Sequence, residues 1–342
     1  MKLCEILALI VSLMILSVGC SEKTDALTKK QLDIFAMDTY MNLTVYGDSA
    51  ETALENASER ITELEKIFSV TSENSDVWRI NNSNDEFVSI SDDTANIISK
   101  SVEYGNLTDG NLDITIYPIL KEWGFTTGNY KVPDGETLGN LLENVDYSKI
   151  MLNNNTLSVP ENYQIDLGAL AKGYTGDEVI ANLKENGIKS AIISLGGNVQ
   201  ALGLKPDGSK WKIAVRNPFS PDTNMCILEI EDKVVITSGN YERFFIDNDG
   251  RKYCHIINPV NGFPAENGLV SVTVIGESGI MCDAFSTALF IMGTDSAEDF
   301  WRKNGGFDMI LVTDDGKIIY TDGLTNNLKN ISSMPVEVIS RE

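Results

Sequence analysis

Histidine is almost missing from this chain: His255 is the only one in 342 residues. That excludes histidine-rich metal sites and the HExxH zinc hydrolases. No CxxC pair occurs, so a structural zinc site has no thiolate frame. No GxxxxGK[ST] phosphate loop and no GxSxG nucleophile elbow are present, and Gly196-Gly197-Asn198 does not fit the GxGxxG dinucleotide fingerprint. Basic residues are scarce as well. Lys and Arg total 27 against 50 Asp and Glu, a formal charge of −23, which leaves no basic footprint for nucleic acid. Such acidity serves solubility, and it repels a diphosphate ligand unless a cation or backbone N–H donors offset the field.

Long hydrophobic runs are missing too, save one. Ile6 to Val18 is apolar apart from Ser12 and Ser17. As a helix at ~1.5 Å per residue it would reach about 20 Å, short of the roughly 30 Å hydrocarbon core. It reads as a signal peptide over residues 1–19. The run ends in Leu16-Ser17-Val18-Gly19-Cys20, which is similar to a bacterial lipobox with its Leu one place early. Cys20 is therefore the expected lipidation site, holding the protein on the outer side of a bacterial cell membrane. Residues 20–32, small, polar and charged, are expected to be a tether. Beyond the leader only Cys226, Cys254 and Cys282 remain. That odd number argues for buried free thiols over a disulfide framework.

What remains reads as one catalytic domain over 33–342, of α+β class, with mixed or antiparallel sheets and packed helices. A 42% hydrophobic content suffices for its core. Strands are expected at Met41–Tyr46, Ala191–Leu195, Trp211–Val215, Met225–Ile230, Val234–Thr237, Tyr241–Ile246, Tyr253–Ile257 and Val270–Ile275. Leu54, Ala57, Ile61, Leu64 and Phe68 recur at helical spacing. Further helices are expected over Thr94–Leu107, over Ala171–Asn186 with Gly187 as terminator, and over Asp283–Met292. Hairpins are expected around Asn153-Asn154-Asn155 and Asp314-Asp315-Gly316. Strands outnumber helices without strict alternation, which favours α+β over a doubly wound sheet.

Several segments carry chemistry. Asp283-Ala284-Phe285-Ser286-Thr287 sets a carboxylate and hydroxyls on one helix face, a hard-oxygen set suited to Mg²⁺; Asp283 would equally serve as a helix cap. In Asp166-Leu167-Gly168-Ala169-Leu170-Ala171-Lys172-Gly173 small residues lead into a helix whose N-terminal N–H groups suit phosphate. Asp109-Gly110-Asn111-Leu112-Asp113 places two carboxylates about a turn. Thr237-Ser238-Gly239-Asn240-Tyr241-Glu242-Arg243 puts hydroxyls at a strand end. His255-Ile256-Ile257-Asn258-Pro259 holds the only side chain that ordinarily titrates near neutrality, the default proton acceptor; a lone histidine would equally serve as a hydrogen-bonded structural residue.

Together and in this order, these blocks resemble the ApbE-type flavin transferases, the FAD:protein FMN transferase family. The match runs from about Met37 to Val312 and includes Met37-Asp38-Thr39, Leu195-Gly196-Gly197-Asn198 and Tyr174 with Asp177. The resemblance implies Mg²⁺-dependent cleavage of FAD as substrate. FMN passes to a threonine hydroxyl of an exported acceptor protein, and AMP leaves. It also implies metal ligands at Asp283, Thr287 and the Ala169 carbonyl, with Ser286 close by. Met37, Asn111, Leu112, Asp113, Asp166, Lys172 and Ile257 fall where that family lines its flavin-nucleotide pocket. His255 becomes the expected base. Many relatives carry Asp where this chain has Asn258, to which no acid–base role is assigned. Few Lys or Arg are expected near the motifs, which leaves the metal as main electrophile. Two rivals stay open: a Mg²⁺-dependent FAD pyrophosphatase using the same site, and a flavin-binding lipoprotein without catalysis.

Overall fold

The computed structural model describes residues 27–341. The expected leader over 1–19 and Cys20 lie outside the described residues. Nine strands form one sheet whose spatial order is their chain order. They are β1 Lys29–Ala36, β2 Thr39–Tyr46, β3 Ser190–Leu195, β4 Asn198–Leu202, β5 Val234–Gly239, β6 Leu269–Gly276, β7 Asp308–Thr313, β8 Ile318–Thr321 and β9 Val336–Ile339. Every neighbouring pair is antiparallel except β8 with β9. The expected α+β class is the observed one.

The helices are α1 Ala50–Phe68, α2 Asp76–Asn81, α3 Asp92–Leu107, α4 Tyr117–Glu122, α5 Gly135–Leu142, α6 Ala171–Glu185, α7 Gly279–Met292 and α8 Thr294–Asn304. One face of the sheet carries α1, α6 and α7. The other is covered by a three-stranded sheet of Trp211–Arg216, Asn224–Ile230 and Leu328–Asn330. The alternation of strand side chains explains the sandwich. In β5, Val234 and Ile236 join the helical core while Val235 joins the core beneath the small sheet. In β6, Val272 and Val274 face the helices and Ile275 the small sheet. All eight residues of β6 are buried, as a strand covered on both faces requires.

Several boundaries differ from expectation. Residues 29–32, expected as the end of a tether, instead open edge strand β1, where Lys29–Leu32 pair with Leu43–Tyr46. The strand expected over Tyr241–Ile246 keeps only Phe244–Ile246, since Asn240–Arg243 turn away from the end of β5. Its partner spans Lys252–Cys254 and not Tyr253–Ile257. Helix α7 begins at Gly279, with the Ser278 hydroxyl accepting from the Met281 N–H. Asp283 therefore sits one turn inside the helix, and the capping alternative for it falls.

The crossing of α6 over α7 positions the site. A Cβ on Gly173 would stand 2.2 Å from the Gly279 carbonyl oxygen, and one on Gly279 would stand 2.4 Å from that of Gly173. Only two glycines let these backbones touch. The Asp177 carboxylate of α6 then accepts from the N–H groups of Gly279 (2.6 Å) and Ile280 (3.1 Å) and from the Ser278 hydroxyl (3.2 Å). One helix thus satisfies the orphan donors of the other and fixes their register.

Candidate active site

That register sets Asp283 against the start of α6. Its Oδ2 accepts from the Gly173 N–H at 2.8 Å. This N–H would otherwise return to the Ala169 carbonyl, the usual helical bond. Among the described residues the Ala169 carbonyl receives no hydrogen bond. Along α7, the Ser286 hydroxyl donates to the Asp283 carbonyl at 2.9 Å and shares a 2.8 Å bond with Ser238 at the end of β5. Thr287 Oγ1 lies 3.3 Å from both the Asp283 carbonyl and Ser238 Oγ. A carboxylate, three hydroxyls and an unclaimed carbonyl thus gather where α6, α7 and β5 meet.

Asp283 is buried, 4% exposed. Burial pushes its carboxyl up, against the lowering pull of the Lys172 charge, the Gly173 N–H and the nearby Asn198 amide. A carboxylate held where its charge is costly is relieved by a cation. Among the described residues no three Asp, Glu, His or Cys side chains converge as a metal group. The protein offers one anionic oxygen and several neutral ones. That donor set fits Mg²⁺, which takes few protein ligands and leaves places for phosphate or water.

The second wall comes from the segment before α6 and from the hairpin after β5. The Asp166 N–H donates to the Ile114 carbonyl at 2.8 Å, and Asp166 Oδ1 accepts from the Gly168 N–H at 2.7 Å. Burial raises its carboxyl, while the Arg243 and Lys172 charges pull it down. His255 stands at the base of the hairpin. Its Nδ1 is 3.1 Å from the Arg243 carbonyl oxygen, which also accepts the His255 N–H at 3.0 Å. A carbonyl only accepts, so Nδ1 carries the proton and Nε2 keeps a lone pair. Desolvation, then the Arg243 and Lys172 charges, push this imidazole down to about 4. It is neutral at pH 7. Glu242 is solvent-exposed yet flanked by protein; desolvation raises it against the pull of Lys172 and Arg216, and the Asp283 charge raises it further. Accessible groups that are nonetheless desolvated are what the floor of an open cleft presents.

The chain as a whole has known counterparts. The model of the ApbE family matches residues 37–311. The chain belongs to the ApbE family. A curated relative from Vibrio cholerae, named FAD:protein FMN transferase, is 32% identical over 263 residues, 75% of this chain and 78% of its own length. One of the same name from Escherichia coli K12 is 27% identical over 319 residues, 87% and 90% of the two chains. Among solved structures, the ApbE protein of Thermotoga maritima superposes with a TM-score of 0.80 at 31% identity, covering 85% of this chain and 96% of its own. The flavin transferase ApbE from Vibrio cholerae gives 0.79 at 27%, covering 88% and 100%.

Within this ApbE-family fold the expected residues separate. Asp283, Ser286, Thr287 and Ala169 come together, and Lys172 lies near both Asp166 and His255. Others do different work. Leu112 is 2% exposed in the main core, and Ile257 is 4% exposed beside Trp123, Phe125 and Leu138. Neither offers a side-chain surface to a ligand. Asp113 is taken up by its own loop: Oδ1 accepts from the Thr115 N–H and hydroxyl, and Oδ2 from the Tyr147 N–H. Both of its oxygens are thus engaged by the protein itself. Asn111 donates its amide to the Thr108 carbonyl. Met37 occupies the β1–β2 turn at φ +50°, its N–H donating to Glu65. A cleft of about 530 Å³ beside Asn81, Pro118, Lys121 and Gln164 is lined by none of these groups. The three cysteines beyond the leader are buried and free.

Four participants lay outside the expected set: Ser238, Glu242, Arg243 and Arg216. The first three sit in the Thr237–Arg243 block, which signalled a site without saying which side chains turn inward. Arg216 ends a strand of the covering sheet and carried no signal. The expected scarcity of cations near the motifs also fails, because folding brings Lys172, Arg216 and Arg243 to one cleft.

Proposed function

We propose that this chain is a Mg²⁺-dependent FAD:protein FMN transferase that esterifies a threonine hydroxyl of an exported acceptor protein and releases AMP. The observation that carries it is the pairing of an oxygen-lined pocket at Asp283 with a neutral imidazole whose Nε2 is unprotonated. Asp283, Thr287 and the Ala169 carbonyl, with Ser286 beside them, would hold Mg²⁺. When bound, it supplies charge neutralisation at the diphosphate, which phosphoryl transfer needs more than covalent help.

The chain's own residues supply the rest. Lys172, with no carboxylate within 4.0 Å among the described residues, offers its charge to the substrate's phosphates. His255 Nε2 accepts the threonine proton. The threonine oxygen then bonds to the phosphorus on the riboflavin side, and the P–O bond to the AMP oxygen breaks with its electron pair. The Arg243 carbonyl holds the imidazole tautomer throughout. Incubation with FAD, Mg²⁺ and an exported flavoprotein acceptor should leave flavin fluorescence on the acceptor band of a denaturing gel. Free FMN and AMP without a labelled band would instead mean a hydrolase, and intact FAD a binder.

Export and anchoring at Cys20 complete this reading, which rests on the leader sequence. No helix among the described residues is long and apolar enough to cross a membrane. Cys20→Ala should move the protein from the membrane fraction to the soluble one. Unchanged fractionation would remove the lipid.

A further inference from the structure

In a chain with 50 acidic residues against 27 basic ones, carboxylates are plentiful enough for most of its arginines to pair with one. Arg60, Arg79, Arg251 and Arg302 all do, and Arg341 lies over the Trp301 ring. Arg216 and Arg243 form no ion pair among the described residues. Both lie at the cleft, Arg216 beside Glu242 and Arg243 beside Asp166 and His255. The Arg243 guanidinium is held in place by a 2.8 Å donation to the Phe125 carbonyl. The Phe125 ring in turn meets the His255 ring edge-on, centroids 6.4 Å apart. Arg243 therefore touches the imidazole's surroundings twice, through its carbonyl at Nδ1 and through a charge anchored on the backbone of the neighbouring Phe125.

We infer that Arg243 is a positioning residue whose charge weakens His255 as a base in the substrate-free protein, and that a bound nucleotide diphosphate cancels this charge and makes His255 a stronger base. This rests on the proposed function for the identity of the anion. The groups facing His255 are Arg243 from its own hairpin and Lys172 from α6. Asp166 faces the same two cations from the segment before α6, and Phe125 adds no charge. Burial first, then the two cations, with no carboxylate bonded to the ring, hold the imidazole low. An anion placed between these cations removes the part of the depression that they cause and leaves the part due to burial. The base would then gain strength only when there is a phosphorus to attack.

The single histidine makes the test direct, because its ring protons give one resolved titration by proton NMR. Arg243→Met leaves the carbonyl that fixes Nδ1 intact and removes only the side-chain charge. In the substrate-free protein it should raise the His255 midpoint by roughly half a unit to one unit, while Arg243→Lys leaves it near the wild-type value. Saturating FAD with EDTA and no acceptor should raise the wild-type midpoint by a similar amount and that of Arg243→Met by much less. An unchanged midpoint in the folded Met variant overturns the role of Arg243, as does equal elevation in the Met and Lys variants. FAD that binds, seen by quenching of flavin fluorescence, without moving the wild-type midpoint overturns the substrate-triggered step. FAD that fails to bind even with Mg²⁺ defeats the proposed function instead, and the comparison of substrate-free variants still decides the role of Arg243.

Discussion

Asp283→Asn should lower Mg²⁺-dependent FAD cleavage by about 10³-fold or more, with the fold intact, because it removes the one anionic oxygen of the candidate metal pocket. The choice of Asn is deliberate. Asp283 Oδ2 accepts from the buried Gly173 N–H, and Ala at 283 would leave that donor without a partner, a cost of about 1–3 kcal/mol. An Asn carbonyl oxygen keeps the bond and the volume, so its effect isolates charge. Differential scanning fluorimetry separates binding from chemistry: Mg²⁺ with FAD should raise the wild-type Tm and leave that of the variant unmoved. Without metal, the variant should be at least as stable as the wild type, since burial makes the Asp283 charge costly. Mg²⁺-dependent turnover within a few-fold of wild type would sink the metal assignment. Thr287→Val gives a smaller loss by the same logic, as it removes one neutral oxygen.

Much of the fold is legible in the sequence because its signals are local. The spacing of Leu54, Ala57, Ile61, Leu64 and Phe68 describes one buried helix face, and these residues are buried in α1. Asn154 at φ +48° and Gly187 at φ +77° turn the chain where residues of those types can. The misses share a cause: in each, tertiary context assigns the role. Lys29 and Lys30 look like tether, yet they lie on an eight-residue edge strand, where charge guards an unpaired backbone. Gly196 and Gly197, at φ +60° and +94°, form the tight turn between β3 and β4. They look like an interruption, and β4 goes unseen behind them.

The same distinction governs the site. Asp113 and Asp283 are both carboxylates in suggestive surroundings, and the sequence cannot say which one its own loop consumes. Asp113 closes a turn through three donors two and thirty-four residues away, whereas Asp283 meets α6 across 110 residues. The pocket at Asp283 exists because Gly173 and Gly279 permit contact between two helices, a fact spread over the length of the chain. Arg216 is the extreme case. It reaches the cleft from the covering sheet, and nothing in its neighbours in sequence marks it.

His255→Gln should reduce transfer of FMN by about 10²–10⁴-fold while leaving FAD affinity close to wild type. Gln can still donate an N–H to the Arg243 carbonyl, as Nδ1 does, but it has no basic nitrogen to replace Nε2. The pH dependence sharpens the expectation. The folded imidazole is pushed down to about 4 from an ordinary 6.5. In the free enzyme the base is therefore already unprotonated well below neutrality. The acid limb of kcat/KM should fall well below 6.5 and be absent from the variant's residual rate. Stability follows with a definite sign. The unfolded chain takes up the proton first as pH falls through 6.5, so His255 lowers wild-type stability progressively between about 6.5 and about 4. The Gln variant lacks that loss and should tolerate acid better on this account, as chemical denaturation at several pH values would register. Wild-type transfer by His255→Gln across about pH 6 to 9 would place the base elsewhere. Glu242, desolvated and open to the same cleft, is then the side chain to substitute next.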